Sequence, residues 1–190
     1  SLADLHDRFR SKTEILLELM QRADRAMLTE AGVPAGTVEG EAAIAGPSEA
    51  PPVEAPGDTV RDRLFDVIMR RFDALRPYRV GLARVMGDRP RDPAVLALLG
   101  TRLGWSMAWA QVAAGLSPEG VRGWLRTAAL EAIYLKTFRV WLEDDSPDLA
   151  RTMATLDNRL RQAEQFATVC QSGLTSRWCG ARRATVATGG

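Results

Sequence analysis

The sequence predicts an all-α bundle, and three observations carry that prediction. Apolar residues recur at spacings of three and four through most of the chain. Three start signals share one form, a capping side chain before a proline: Asp92-Pro93, Ser117-Pro118 and Ser146-Pro147. Proline is favoured at the first helical position because its missing amide would have no partner there. Finally, no stretch alternates apolar and polar residues with the period of two that a strand needs.

The first helix opens at a capping box. Ser11 can accept from an orphan amide while Glu14, three residues on, reaches back to the Ser11 amide. Ile15, Leu16, Leu19, Met20, Ala23 and Met27 form its stripe, and Gly32 with Pro34 stops it. Residues 33–57 differ in kind. They hold Pro34, Pro47, Pro51, Pro52 and Pro56, with Glu39, Glu41, Glu49 and Glu54, and neither a base nor an aromatic residue. Such a segment buries too little apolar surface to offset its ordering entropy, so it reads as a flexible acidic linker.

A body follows over residues 58–171. Asp58 is placed to cap a helix whose stripe is Val60, Leu64, Phe65, Ile68, Met69, Phe72 and Leu75. A shorter helix is expected from Tyr78 to Met86. From Ala94 to Leu116 the only charge is Arg102, so this helix reads as apolar all round and therefore as core. The helix after Pro118 runs to Leu142, with Val121, Leu125, Ala128, Ala132, Leu135 and Trp141 as its apolar set. The last runs from Pro147 to Gln171, with Leu149, Met153, Leu156, Leu160, Ala163 and Ala167 as a seam suited to a helix partner. Glu143, Asp144 and Asp145 read as a solvated turn between those two helices. Residues 172–190, rich in Gly, Ser, Thr and Arg, read as a disordered tail.

Composition narrows the chemistry. One His and two Cys are too few for the usual His/Cys zinc sites, and a single His at His6 leaves no catalytic triad in the body. Cys170 and Cys179 build no disulfide framework and read as reduced thiols. No signal peptide opens the chain and no run of about 18 apolar residues marks a membrane span, so the expected location is cytoplasmic. No enzyme motif, metal site or cofactor loop is found, and no catalytic residue or cofactor is expected. The formal charge of +1 averages unlike parts: residues 33–57 carry −4 and residues 61–91 carry +5.

The candidate ligand-binding residues are Phe65, Met69, Phe72, Arg102, Trp105, Trp109, Tyr134 and Phe138. Two readings stay open for them. They are plain core, or they line a pocket of the kind bundles place between helices. Arg102 is then the polar fixture of the pocket, a buried ion-pair partner or a snorkelling surface residue.

Two resemblances bear on function. Ser1, Leu5, Phe9, Ser11 and Lys12, with Ile15-Leu16-Leu17 following, resemble the end of a TetR-type DNA-binding domain; His6 stands where that family usually has Tyr. The resemblance implies a TetR-like bundle with an incomplete N-terminal helix-turn-helix in residues 1–32. It implies DNA contacts from Ser1, Leu2, His6 and Lys12, with DNA as a partner if two further helices precede Ser1. It also implies a homodimer through the last two long helices, packed as a four-helix bundle, and a small apolar ligand in the body.

The second resemblance lies later. Asp145-Ser146-Pro147-Asp148, Thr152 and Leu156-Asp157-Asn158-Arg159 are similar to the ubiquinone-biosynthesis accessory family. That family resembles a TetR regulator in fold but binds lipids and presents lipid-like substrate to a partner hydroxylase. Leu64-Phe65-Asp66, Arg70-Arg71-Phe72-Asp73-Ala74-Leu75 and Trp141 add to the likeness. Transcriptional regulation is thus the leading expectation, on Phe9, Ser11 and Lys12. The alternative is a lipid-binding accessory protein without DNA binding, which Asp4 and Asp7 favour because each would repel phosphate.

Overall fold

A computed structural model of the chain describes residues 11–29, 58–87 and 93–186. All regular structure among the described residues is helical, as the apolar spacing predicts. The elements are α1 (Lys12–Thr29), α2 (Val60–Leu75), a single 3-10 turn (Arg76–Tyr78), α3 (Arg79–Gly87), α4 (Pro93–Ala113), α5 (Gly120–Leu142) and α6 (Ala150–Val186). α1 lies against α2 and α4, α5 lies between α4 and α6, and α6 also packs on α2. The expected linker over residues 33–57 lies outside the described residues.

The helix starts show which sequence signals act. Ser11 Oγ accepts from the Glu14 amide at 3.2 Å. At α2 the cap is Thr59, one residue later than Asp58. Its hydroxyl accepts from the Asp62 amide at 3.2 Å, and the Asp62 carboxylate accepts from the Thr59 amide at 3.2 Å. The reason is chemical: Thr59 has an acid three residues on and closes both halves of the box, whereas Asp58 has Arg61 there.

α4 ends in a Schellman motif. Gly115 adopts φ 79°, the Leu116 amide donates to the Gln111 carbonyl at 2.8 Å, and the Gly115 amide donates to Val112 at 2.9 Å. The expectation that this helix is core throughout holds for its second half only. Leu103, Met107, Trp109, Ala110, Val112 and Ala113 are buried, but Leu96 and Leu98 in the first half are about half exposed. A helix without a polar face does not reveal which part of it is covered.

α5 begins at Gly120, not at Ser117-Pro118. Ser117 Oγ instead accepts from the Glu119 amide at 3.3 Å within the connecting turn. Gly120 takes φ 68°, and Gly123 lies so close under Pro118 that a Cβ there would sit 1.9 Å from the Pro118 carbonyl oxygen. The face of α5 that meets the bundle is Gly123, Leu130, Ile133, Tyr134, Thr137, Phe138 and Trp141. Of the six residues expected on its buried stripe only Trp141 is buried; Val121, Leu125, Ala128, Ala132 and Leu135 face outward.

The acidic turn between α5 and α6 is a correction. Asp144 is fully buried, not solvated. Its carboxylate accepts from the Ser146 amide (3.2 Å), the Ser146 hydroxyl (2.5 Å), the Thr152 amide (2.8 Å) and the Thr152 hydroxyl (2.7 Å). Ser146 Oγ in turn accepts from the Ala150 amide at 3.0 Å, so Asp144 and Ser146 share the capping of α6. Satisfying that carboxylate moves the helix start from Pro147 to Ala150 and holds Leu149 at φ 55°, where a non-glycine residue is strained. From outside, Arg76 donates to the Pro147 carbonyl at 2.9 Å, and Arg79 donates to the Asp144 carbonyl and to Asp145. The backbone of α6 continues to Val186, so residues 172–186 are helical where a tail was expected.

Candidate functional site

Tyr134, Phe138 and Trp141 stand at i, i+4 and i+7 on α5, so they share one face, and α2 presents Phe72 to it. The four rings form a column. Phe72 stacks on Tyr134 with centroids 5.1 Å apart and planes 4° from parallel. Phe138 lies 5.9 Å from Tyr134 and 5.4 Å from Trp141, and Phe72 lies 5.6 Å from Trp141. Offset stacks of this kind add about 0.5–1.5 kcal/mol per pair beyond area burial. Trp141 Nε1 is buried in the column with no hydrogen-bond partner.

A buried polar network caps the Tyr134 end. Arg71 sits on α2 next to Phe72. Its Nε donates to Asp24 Oδ1 at 2.9 Å, its Nη1 to the Tyr134 hydroxyl at 2.5 Å and its Nη2 to Ser106 Oγ at 3.3 Å. The Ser106 hydroxyl donates to Asp24 Oδ2 at 2.8 Å. Four helices therefore meet at one ion pair: α1 through Asp24, α2 through Arg71, α4 through Ser106 and α5 through Tyr134. Burial works against the Arg71 charge, but Tyr134 and Asp24 outweigh it and hold the guanidinium above its ordinary range. Burial pushes the Tyr134 phenol up; Arg71 pulls it down without cancelling that, so the hydroxyl stays neutral.

Arg102 stands beside this network on α4. Its Nη2 lies 3.8 Å from Asp24 Oδ2, and the side chain keeps 13% of its exposure. Arg102 Nε and Nη2 are buried without a hydrogen-bond partner. Of the three roles open to it in the sequence, ion-pair partner is the one this geometry supplies.

The eight candidate ligand residues fall in three places. Phe72, Tyr134 and Phe138 share the column, and Phe65 and Met69 pack on the same core cluster. Trp109 belongs to a second cluster with Met27, Leu28 and Val67. Trp105 is half-buried on α4, and Arg102 adjoins Asp24. A shallow depression of about 200 Å³ is lined by Ala26, Arg70, Asp73 and Ala74, none of them among the eight. Of the candidate DNA contacts, Ser1, Leu2 and His6 lie outside the described residues, and Lys12 is exposed at the start of α1.

Sequence reasoning missed Asp24, Arg71, Ser106 and Trp141 as site members. A signal was present. Asp24 and Arg71 fall in phase with the apolar stripes of their helices, one after Ala23 and one before Phe72. A charge in register with a buried stripe needs a buried partner.

No described helix is long and apolar enough to cross a membrane. Among the described residues no group of three or more His, Cys, Asp or Glu is placed to hold a metal ion. A family model described as COQ9 matches residues 124–167. The matched stretch spans most of α5, the Asp144 turn and the first half of α6, and so includes three of the four column rings. It falls on the ubiquinone-biosynthesis accessory resemblance and favours it over the regulator. A search of curated proteins finds no match to the chain.

Proposed function

We propose that this chain is a non-catalytic, lipid-binding accessory protein of ubiquinone biosynthesis, and that its apolar ligand enters between α2 and α5 along the ring column. The observation that carries this reading is the COQ9 match, which falls on α5, the Asp144 turn and α6 and takes in three of the four column rings. Three features support the placement. Trp141 Nε1 is a buried donor with no acceptor, and an orphan donor in an apolar wall is suited to a ligand oxygen. Arg102, ion-paired with Asp24, offers a second donor edge through Nε, which is buried without a hydrogen-bond partner. Phe65 and Met69 supply half-buried apolar surface next to the rings, and Met in particular repacks around irregular ligands.

In the closed arrangement the rings fill their own space, so ligand entry requires Phe72 and Phe138 to separate. The ligand must bind the opened column more tightly than the closed one costs to open. A long isoprenoid tail buries enough apolar surface to do so, at about 25 cal/mol per Å². No cofactor is needed for such carriage. The partner that receives the lipid is an enzyme acting on the same lipid, as in the family the chain resembles.

The test is direct. Protein purified from cells that make ubiquinone is examined by native mass spectrometry and by organic extraction. An isoprenoid lipid bound in proportion to protein is the expected result. A clean apo mass from such cells contradicts the reading. Specific, salt-sensitive binding of the chain to operator DNA would favour a regulator instead.

A further inference from the structure

α3 is tied down at its first turn and buries little along the rest of its length. It follows α2 through the 3-10 turn Arg76–Tyr78, where Pro77 has no amide to continue the α2 hydrogen-bond ladder. Of residues 79–86 none is buried. Arg79, Leu82 and Val85, spaced by three, are half-buried, while Val80 is 67% and Met86 45% exposed. The polar contacts gather where the helix begins. Arg76 Nη2 donates to the Pro147 carbonyl at 2.9 Å. Arg79 donates to the Asp144 carbonyl and, through Nη2, to Asp145 Oδ1 at 2.5 Å. The Asp145 side chain is 93% exposed, so this ion pair stands in water and is open to screening by salt.

What α3 covers is one end of the ring column. It touches α5, and its first residue bonds to Asp144, three residues past Trp141. Leu82 packs on the core cluster that holds Phe138 and Trp141. The two ends of the column differ. The Tyr134 end is closed by Arg71, Asp24 and Ser106, all buried and bonded to one another. The Trp141 end keeps a buried Nε1 donor without a partner and is roofed by a helix with no buried side chain among residues 79–86.

We propose that α3 is a strap, latched by Arg76 and Arg79 to the Asp144–Pro147 turn, whose lifting about Pro77 opens the Trp141 end of the column to a ligand. What passes under the strap rests on the lipid reading; the motion itself does not. Lifting exposes Leu82 and Val85 and breaks contacts at the latch, and leaves the buried ion pair and the stacked rings in place. A segment with so few buried contacts opens at lower free energy than the helices it lies on. A gate of this kind sets the rates of entry and exit and leaves affinity alone.

Two measurements on the full chain test this, and Asp145→Ala serves both, because it removes the latch carboxylate at an exposed position. The first is hydrogen exchange without ligand. Residues 79–86 are expected to exchange faster than 64–75 and 130–142, faster still in high salt, and several-fold faster in Asp145→Ala and in Arg76→Gln. The flanking helices stay unchanged. The second is stopped-flow tryptophan fluorescence with a water-soluble short-chain ubiquinone analogue. Asp145→Ala should raise the association and dissociation rates by the same several-fold factor, with the dissociation constant unchanged. Exchange in residues 79–86 that neither variant alters overturns the strap. Rates equal to wild type, or a change in only one of them, overturn its role as a gate. Wild-type protein that binds no quinone overturns the lipid reading instead, and the exchange comparison then decides the strap by itself.

Discussion

Arg71 Nε and Asp24 Oδ1 meet at 2.9 Å with each side chain only 2% exposed. This pair ties α1 to the rest of the bundle, because Asp24 is the charged residue on the buried face of α1. Ser106 and Tyr134 complete the hydrogen bonds of the pair, so neither charge is left bare in the core.

Removing one partner is therefore expected to be costly. Asp24→Ala leaves the Arg71 guanidinium buried and uncompensated, and should destabilise the chain by about 3–5 kcal/mol. Replacing both residues together, Asp24→Leu with Arg71→Met, should recover much of that loss, since an apolar pair of similar volume carries no desolvation penalty. Urea denaturation of the two variants checks both statements; a double variant as unstable as Asp24→Ala contradicts them.

Tyr134 belongs to both assemblies, and its two parts can be separated. Tyr134→Phe keeps the ring in the column but takes an acceptor from Arg71, at a cost of about 1–3 kcal/mol. Phe138→Ala opens the column and should cost about 3–5 kcal/mol. Thermal or urea unfolding distinguishes the two magnitudes. Equal losses would mean that the rings do not act as a packed column.

Asp144 predicts a pH dependence. Burial alone would raise its pKa, but hydrogen bonds from Ser146 and Thr152 hold it well below the usual carboxylate range. Its folded-state pKa is thus depressed relative to the unfolded value of about 3.9. The stabilisation is fully present above that unfolded value and is lost as pH falls from it towards the folded one. Asp144→Asn does not titrate. The stability gap between wild type and Asp144→Asn should therefore be wide at neutral pH and narrow at pH ~3. A gap that does not change over that interval contradicts the assignment.

Gly123 gives a packing prediction. A Cβ at this position meets the Pro118 carbonyl oxygen and carbonyl carbon, which are backbone atoms and cannot rotate away. Gly123→Ala should cost about 1–3 kcal/mol despite the better helix propensity of alanine. A stability equal to or above wild type, measured by thermal unfolding, would mean that the turn before α5 moves freely.

Much of the fold was legible because helices announce themselves locally. The Ser11–Glu14 cap, the α2 stripe ending at Leu75 and the α6 positions Leu156 and Leu160 are all where their spacing puts them. What was not legible depends on contacts distant in sequence. The sequence cannot say that Asp144 lies buried under Thr152, eight residues on, because an acid between helices is usually solvated. Nor does it say which of the two apolar faces of α5 turns inward. The Val121–Leu135 seam and the Tyr134–Trp141 face have equally good helical spacing, and packing of Phe72 against Tyr134 decides between them. Of the candidate ligand residues, Phe72, Tyr134 and Phe138 were found by type and spacing and do come together. Trp109 shares their type but not their place, since it faces Met27 and Val67.

The central claim is that an apolar, ubiquinone-like ligand is held between α2 and α5. Hydrogen exchange followed by mass spectrometry, with and without a water-soluble short-chain ubiquinone analogue, tests it most directly. The account predicts that ligand changes exchange in peptides covering residues 64–75 and 130–142 and leaves the outer part of α6 around residues 161–169 as it was. No ligand-dependent change in α2 and α5, or a change confined to other helices, would contradict it.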